Sequence, residues 1–323
     1  MIRLHCNTRD AVEPRPAEAQ SDCMKPNGMK LEGDVLMMFP KRLTLCMSLG
    51  LALTLMTLNA VAQESMWTHA KTKRLTTDKQ GPFVHTRDGD VLATQGNFNN
   101  ELGLPLSLFA LQPHHAYAVL EMGASKAGDI AYLAGIARPD VGLITNVGPA
   151  HLKGFGSEEG VARAKGEIYA ALPQDGCAVI NADEPWAADW RKSTPAGKVL
   201  SFGVSEGSDV RLLAGQQPQL ATPLGTIDCR LGLPGRHNLV NAAAAAAVAL
   251  ALDIAPAVIE RGLAAVKPVP GRLNLLTTAA GWNVIDDTYN ANPASFYSAL
   301  QVLSEMQGKA WLVLGDMKEQ GQT

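Results

Sequence analysis

Between residues 116 and 202, short apolar runs alternate with helix-length stretches, and this alternation constrains the fold more than any other feature of the chain. The runs are Ala116–Leu120, Val141–Thr145, Cys177–Ile180 and Val199–Phe202, and helical patterns at Gly128–Ile136 and Glu158–Ala171 separate the first three. Strands this short and this apolar suit a sheet covered by helices on both faces. The expected class is therefore α/β, a doubly wound and mostly parallel sheet.

The pattern changes on either side of this region. Between Asp209 and Leu233 it becomes strand-rich, with Thr222-Pro223-Leu224-Gly225 as a turn, and predicts an antiparallel hairpin packed on the main sheet. Asn238 is placed to cap a long helix through six consecutive alanines to about Leu252, and Pro256 opens another in the preferred first-turn position. After Gly271 a new unit starts, with strands near Leu273–Thr277 and Trp282–Asp286, a helix over Pro293–Met306 and a buried strand Ala310–Leu314. One helix leaves a sheet layer uncovered, so residues 271–323 read as the beginning of a second α/β domain, cut short. Residues 1–88 show no sustained periodicity and read as a disordered leader, which leaves 89–270 as the central domain.

A net charge of -3 and a pI near 6.2 give no basic face for nucleic acid, so that partner is set aside. The five cysteines are odd in number, far apart and without a C-x-x-C pair, which suggests neither a disulfide framework nor a zinc site and fits reduced thiols in a cytoplasm. One segment conflicts with that compartment. Lys41-Arg42, the apolar run Leu43–Leu58 and Ala60-Val61-Ala62-Gln63 form a secretory signal pattern over residues 41–62, whose competing reading is a buried or fortuitous apolar helix. A membrane is a partner only if that segment acts as a signal.

Two loops carry nucleotide-binding chemistry. Pro234-Gly235-Arg236-His237-Asn238-Leu239-Val240-Asn241 is followed by Pro270-Gly271-Arg272 and Asp286-Asp287-Thr288-Tyr289-Asn290-Ala291-Asn292. Together they offer amides and an imidazole for a base, a guanidinium for phosphate oxygens and a carboxylate for ribose hydroxyls. Glu121 ends an apolar run, which places a carboxylate at the carboxyl edge of the sheet, where α/β proteins bind ligands. The next strand also ends in polar residues, Asn146 to His151.

With Thr94–Pro105, Val119–Ala124, Asn146–Leu152 and Arg163-Ala164-Lys165-Gly166-Glu167, these loops resemble, in order over about residues 90 to 321, the Mur ligase family in its D-alanyl-D-alanine-adding branch. The resemblance implies an ATP-dependent amide ligase of peptidoglycan precursor synthesis. Its substrates would be ATP, a UDP-muramoyl tripeptide and D-alanyl-D-alanine, joined through an acyl phosphate by a cytoplasmic monomer. It implies Mg²⁺ at Glu121 and His151. An ammonium repels such an ion, so Lys165 would have to be carbamylated to serve it; otherwise it is a solvated helix lysine pairing with Glu158 or Glu167. The resemblance also implies adenine contacts from His237, Asn238 and Asn241, phosphate binding and catalysis by Arg272, ribose binding by Asp287, and an acceptor-lining loop with Asn97, Asn99 and Asn100. An Asn-rich turn is the alternative for that loop.

The family's glycine loop is absent. Gly-Lys followed by Ser or Thr occurs nowhere: Gly197-Lys198 precedes Val199 and Gly308-Lys309 precedes Ala310. The expectation is a ligase centre truncated at both ends and impaired. The alternatives are a noncatalytic or exported remnant and a folylpolyglutamate synthase-like ligase of related architecture.

Overall fold

The apolar runs form strands, nearly at the expected bounds. A computed structural model describes residues 3–7, 73–77, 91–148, 152–315 and 317 of the 323. The signal-like segment 41–62 and His151 lie outside the described residues, as does most of the 1–88 leader. The strands of the main sheet are β2 (Lys73–Thr77), β3 (Val91–Ala93), β4 (Tyr117–Glu121), β5 (Val141–Ile144), β6 (Cys177–Asn181), β7 (Lys198–Gly203), β8 (Val210–Leu212), β9 (Gln219–Thr222) and β10 (Gly225–Asp228). They stand in the order β10-β9-β8-β7-β6-β5-β2-β4-β3. Every pairing from β3 to β8 is parallel, and β8-β9 and β9-β10 are antiparallel. The predicted hairpin thus extends the main sheet edgewise instead of packing on its face.

Two apolar layers flank this sheet because alternate residues point to opposite faces. In β6, Cys177 and Val179 join one core while Ala178 and Ile180 join the other. The first core is closed by α6 (Arg236–Ala251) and α7 (Pro256–Ala264), through Ala242, Ala243, Ala246, Ala247, Ile259 and Leu263. Methyl side chains let α6 lie close against the strands. Four helices supply residues to the second core: α1 (Gly103–Phe109), α2 (Asp129–Ala137), α4 (Glu158–Ala170) and α5 (Ala187–Ser193). A single turn, α3 (Leu152–Phe155), precedes α4.

Two findings change the reading of residues 1–88. β2 is in register with β4 on one side and β5 on the other, so residues 73–77 belong to the middle of the sheet. Lys-Arg-Leu-Thr-Thr carries almost no apolar signal; the pairing edges of its neighbours define it as a strand. In addition, β1 (Arg3–Asn7) lies between β12 (Asn283–Asp286) and β13 (Lys309–Val313), antiparallel to both, with β11 (Asn274–Thr277) beyond β12.

The small core beside this second sheet consists of Leu273, Ile285, Ala299 and Val302, the last two on α8 (Pro293–Glu305). α8 starts with a capping box: the Asn292 side chain accepts from the Ser295 amide at 2.8 Å, and the Ser295 hydroxyl accepts from the Asn292 amide at 3.0 Å. The strand expected to be buried, Ala310–Leu314, is exposed along its length, with Trp311 at 53% and Leu314 at 53%. Apolar composition predicted burial there, but the core beside α8 is too small to reach it.

Candidate active site

Glu121 is the last residue of β4, and the loop ahead of α1 grips it. The Asn99 carboxamide donates to Glu121 Oε1 at 2.7 Å, and the Asn99 carbonyl accepts from the Gly123 amide at 2.7 Å. The Thr94 hydroxyl accepts from the Glu121 amide at 2.9 Å. Asn100 is used locally, its side chain accepting from the amides of Gly103 at 2.8 Å and Leu102 at 3.2 Å at the start of α1. Asn97 is exposed, and its carbonyl accepts from the Asn99 amide at 2.8 Å. The amides of Asn99 and Asn100 are thus turned to the protein itself, with Asn97 at the loop surface.

Thr77 of β2 pairs with Glu121 on one side and Leu143 on the other, so β4 and β5 leave the sheet at one edge. Lys165, on α4, reaches this edge: its Nζ donates to the carbonyl of Asn146, two residues past β5, at 2.9 Å. The neighbouring strand end is also tied down. The Asn181 carboxamide donates to the Thr145 carbonyl at 2.7 Å, and Glu184 accepts from the Val147 amide at 3.1 Å. Glu121 and Lys165 therefore serve the same edge.

The nucleotide-type residues form two groups. Segment 271–273 is laced to 286–289: Gly271 donates to Asp286 at 3.2 Å, Leu273 donates to Asp287 at 3.1 Å, and Tyr289 donates to the Gly271 carbonyl at 3.0 Å. Gly271, at φ +76°, is pressed to within 3.1 Å of the Tyr289 nitrogen at the place a Cβ would occupy. This brings the Arg272 guanidinium over the Tyr289 ring, 4.2 Å from its centroid, and leaves Arg272 Nε buried without a hydrogen bond. Burial raises the Asp287 pKa above its ordinary value; the Leu273 amide and the Arg272 charge oppose that, and Asp286 adds to it.

The second group is at the start of α6. Asn238 does not cap the helix. Gly235 takes the cap position at φ +93°, and Asn238 lies in the first turn with its side chain donating to the Pro234 carbonyl at 2.7 Å. His237 folds back over Gly235, where a Cβ would stand 2.6 Å from its ring and 2.9 Å from Val302 of α8. Asn241 is half-buried one turn further on. This loop therefore abuts the second unit through Val302.

Residues 68–249 match the Mur ligase middle domain, and residues 271–323 match the Mur ligase, glutamate ligase domain. The chain belongs to the Mur ligase family. UDP-N-acetylmuramoyl-tripeptide--D-alanyl-D-alanine ligase of Escherichia coli (strain K12) is 42% identical over 240 residues, 72% of this chain and 53% of the relative. A crystal structure of MurF from Acinetobacter baumannii superposes with a TM-score of 0.71 at 36% identity, covering 79% of this chain and 59% of that one. MurF ligase from Thermotoga maritima in complex with ADP superposes with a TM-score of 0.68 at 30% identity, covering 79% and 62%. The chain spans 53 to 62% of the length of the first two curated relatives. The Mur ligase middle domain begins by residue 68 and includes β2, so its boundary lies before residue 73 and not at 89.

The family implies Mg²⁺ and ATP, and the residues fit them unevenly. Among the described residues no group of three or more His, Cys, Asp or Glu side chains could hold a metal. Mg²⁺ keeps several waters and takes one or two carboxylates together with substrate phosphates. Glu121, a carboxylate already fixed by an amide donor, fits as one such ligand. The Arg272, Asp287 and Tyr289 group fits a phosphate, ribose and base. The triphosphate fits less well, because the matched middle domain contains no Gly-Lys-Ser/Thr, and Thr77 is followed in sequence by Asp78-Lys79-Gln80-Gly81-Pro82. Thr94 and Tyr289 stood inside the segments that carried the resemblance but had no role of their own there; the Glu121 contact of Thr94 and the Arg272 contact of the Tyr289 ring are tertiary and leave no spacing signal.

Proposed function

We propose that this chain is the nucleotide-binding and cation-binding centre of an ATP-dependent amide ligase of peptidoglycan precursor synthesis. That ligase adds D-alanyl-D-alanine to UDP-N-acetylmuramoyl-tripeptide through an acyl phosphate, in the cytoplasm and as a monomer. The observation that carries the reading is the convergence of Arg272, Asp287 and Tyr289, held by hydrogen bonds between segments more than ten residues apart. Arg272 meets phosphate oxygens, Asp287 accepts from ribose hydroxyls, and His237, Asn238 and Asn241 border the adenine. Glu121 is a Mg²⁺ ligand, with His151 as its partner. A bound Mg²⁺ would neutralise charge on the phosphates and on the carboxylate that attacks them. Asn97 faces the acceptor substrate. Lys165 serves this centre as a carbamate; a carbamate keeps one N–H on that nitrogen, so the bond to the Asn146 carbonyl survives the modification.

Phosphoryl transfer depends on preorganised donors around the phosphate, and losing such a set costs about 10³-fold or more in rate. The chain as written therefore binds nucleotide but turns over poorly, which favours an impaired ligase over an active one. The Glu121-Met122-Gly123-Ala124 segment and the Asn97–Pro105 loop favour the cell-wall branch over a folylpolyglutamate ligase. Calorimetric titration with ADP and Mg²⁺, alongside phosphate release with the tripeptide precursor and D-alanyl-D-alanine, tests the reading. Binding that weakens at least tenfold in Arg272→Ala and in Asp287→Ala, with phosphate release at background, is expected. No detectable ADP binding by the unaltered chain would overturn the nucleotide assignment. Substrate-dependent release abolished by Glu121→Ala would overturn the impairment.

A further inference from the structure

We propose that Asn99 is a positioning residue, holding the Glu121 carboxylate in the orientation in which it takes a divalent cation. The proposal rests on the reading of Glu121 as a cation ligand and assigns Asn99 to it, away from the acceptor-lining role that its loop suggested.

Asn99 grips the end of β4 at two points, with its carboxamide on Glu121 Oε1 at 2.7 Å and its carbonyl on the Gly123 amide at 2.7 Å. It therefore fixes the carboxylate relative to the backbone that carries it. Asn99 is itself fixed. Its amide donates to the Asn97 carbonyl at 2.8 Å, the Phe98 amide donates to the Gln95 carbonyl at 3.2 Å, and the Phe98 backbone lies so close to Gly103 that a Cβ there would have no room. Gly123 provides the space: a Cβ there would stand 3.0 Å from the Asn99 carboxamide carbon.

The choice of donor matters chemically. A lysine or arginine in this place would orient the carboxylate equally well but would bring a positive charge that competes with the cation. A carboxamide donates a hydrogen bond and brings no charge. Partners that orient a ligand from behind in this way alter metal affinity by about 10- to 100-fold.

The test uses the full chain and Mn²⁺ as the probe, with free Mn²⁺ followed by electron paramagnetic resonance and folding by circular dichroism. Glu121→Gln should reduce binding to background, and Asn99→Ala should weaken it about 10- to 100-fold while keeping the native spectrum. If Glu121→Gln binds Mn²⁺ within twofold of the unaltered chain, the cation reading of Glu121 fails and the proposal falls with it. If Glu121→Gln loses binding but Asn99→Ala stays within twofold, the cation reading stands and the role of Asn99 is refuted. Should Asn99→Ala not fold, Gly123→Ala replaces it, since its methyl displaces the carboxamide without deleting it. A weakening of threefold or more then supports the proposal, and unchanged affinity overturns it.

Discussion

The Tyr169 hydroxyl donates to the carbonyl of Val179 at 2.8 Å and accepts from the amide of Ile144 at 3.1 Å, so one phenol from α4 bridges β5 and β6 where they approach the candidate site. Tyr169 is fully buried. Tyr169→Phe keeps the packing but leaves a buried amide and carbonyl without this partner, and should destabilise the protein by about 1–3 kcal/mol. A lower urea midpoint with an unchanged slope is the expected result.

Gly235 is held at φ +93° and ψ 140°, with His237 and Val302 closing over it. A side chain meets strain and a clash together. Gly235→Ala should cost about 1–3 kcal/mol or more. Because the methyl pushes directly on the His237 ring, the same variant should lose ADP affinity, measured by calorimetry at a temperature where it is still folded.

Burial, the largest influence on Asp287, raises its pKa in the folded protein above the ordinary 3.8. A carboxyl shifted upward lends its full stability below the unfolded value, and that contribution is lost as pH rises through the folded value. Asp287→Asn removes the charge yet can still accept from Leu273. It should therefore melt higher than the unaltered protein at pH 7, and the difference should shrink as the pH falls toward 4. Thermal melts across that range test the sign; an advantage that grows on acidification contradicts it. The same variant should bind ADP more weakly.

Burial pushes both Cys177 and Cys229 up to about 11. At pH 8 their thiolate fraction is on the order of a hundredfold below that of a free cysteine, before steric protection is counted. Peptides containing either residue should stay unalkylated by iodoacetamide in the native protein and become labelled in urea, as read by mass spectrometry.

Much of the central fold was legible because its strands are apolar throughout. The runs beginning at Val141 and Cys177 could only be buried strands, and Glu121 stood at a strand end because Val119-Leu120 stops there. The missed features belong to tertiary context. Lys73–Thr77 has no periodic signal and is a strand through β4 and β5. Asn238 looked like a cap, but the positive φ of Gly235 lets the helix begin earlier and leaves Asn238 to bind backward to Pro234. Ala310–Leu314 was expected to be buried for its apolar composition, although the single helix of its unit already implied an uncovered sheet layer, and the strand is exposed. The contact between Asn99 and Glu121 spans 22 positions, from a loop to a strand end, and no local pattern encodes it.

β4 and β5 do not pair with each other; β2 pairs with both. A chain shortened to begin at residue 89 would keep every recognisable central motif and still divide the sheet in two. Each half would then present a row of unsatisfied amides and carbonyls from a hydrophobic central strand, the type of edge through which proteins join into aggregates. Residues 73–77 thus act as a keystone, and any shorter version of this protein made for study must keep them to hold the sheet in one piece.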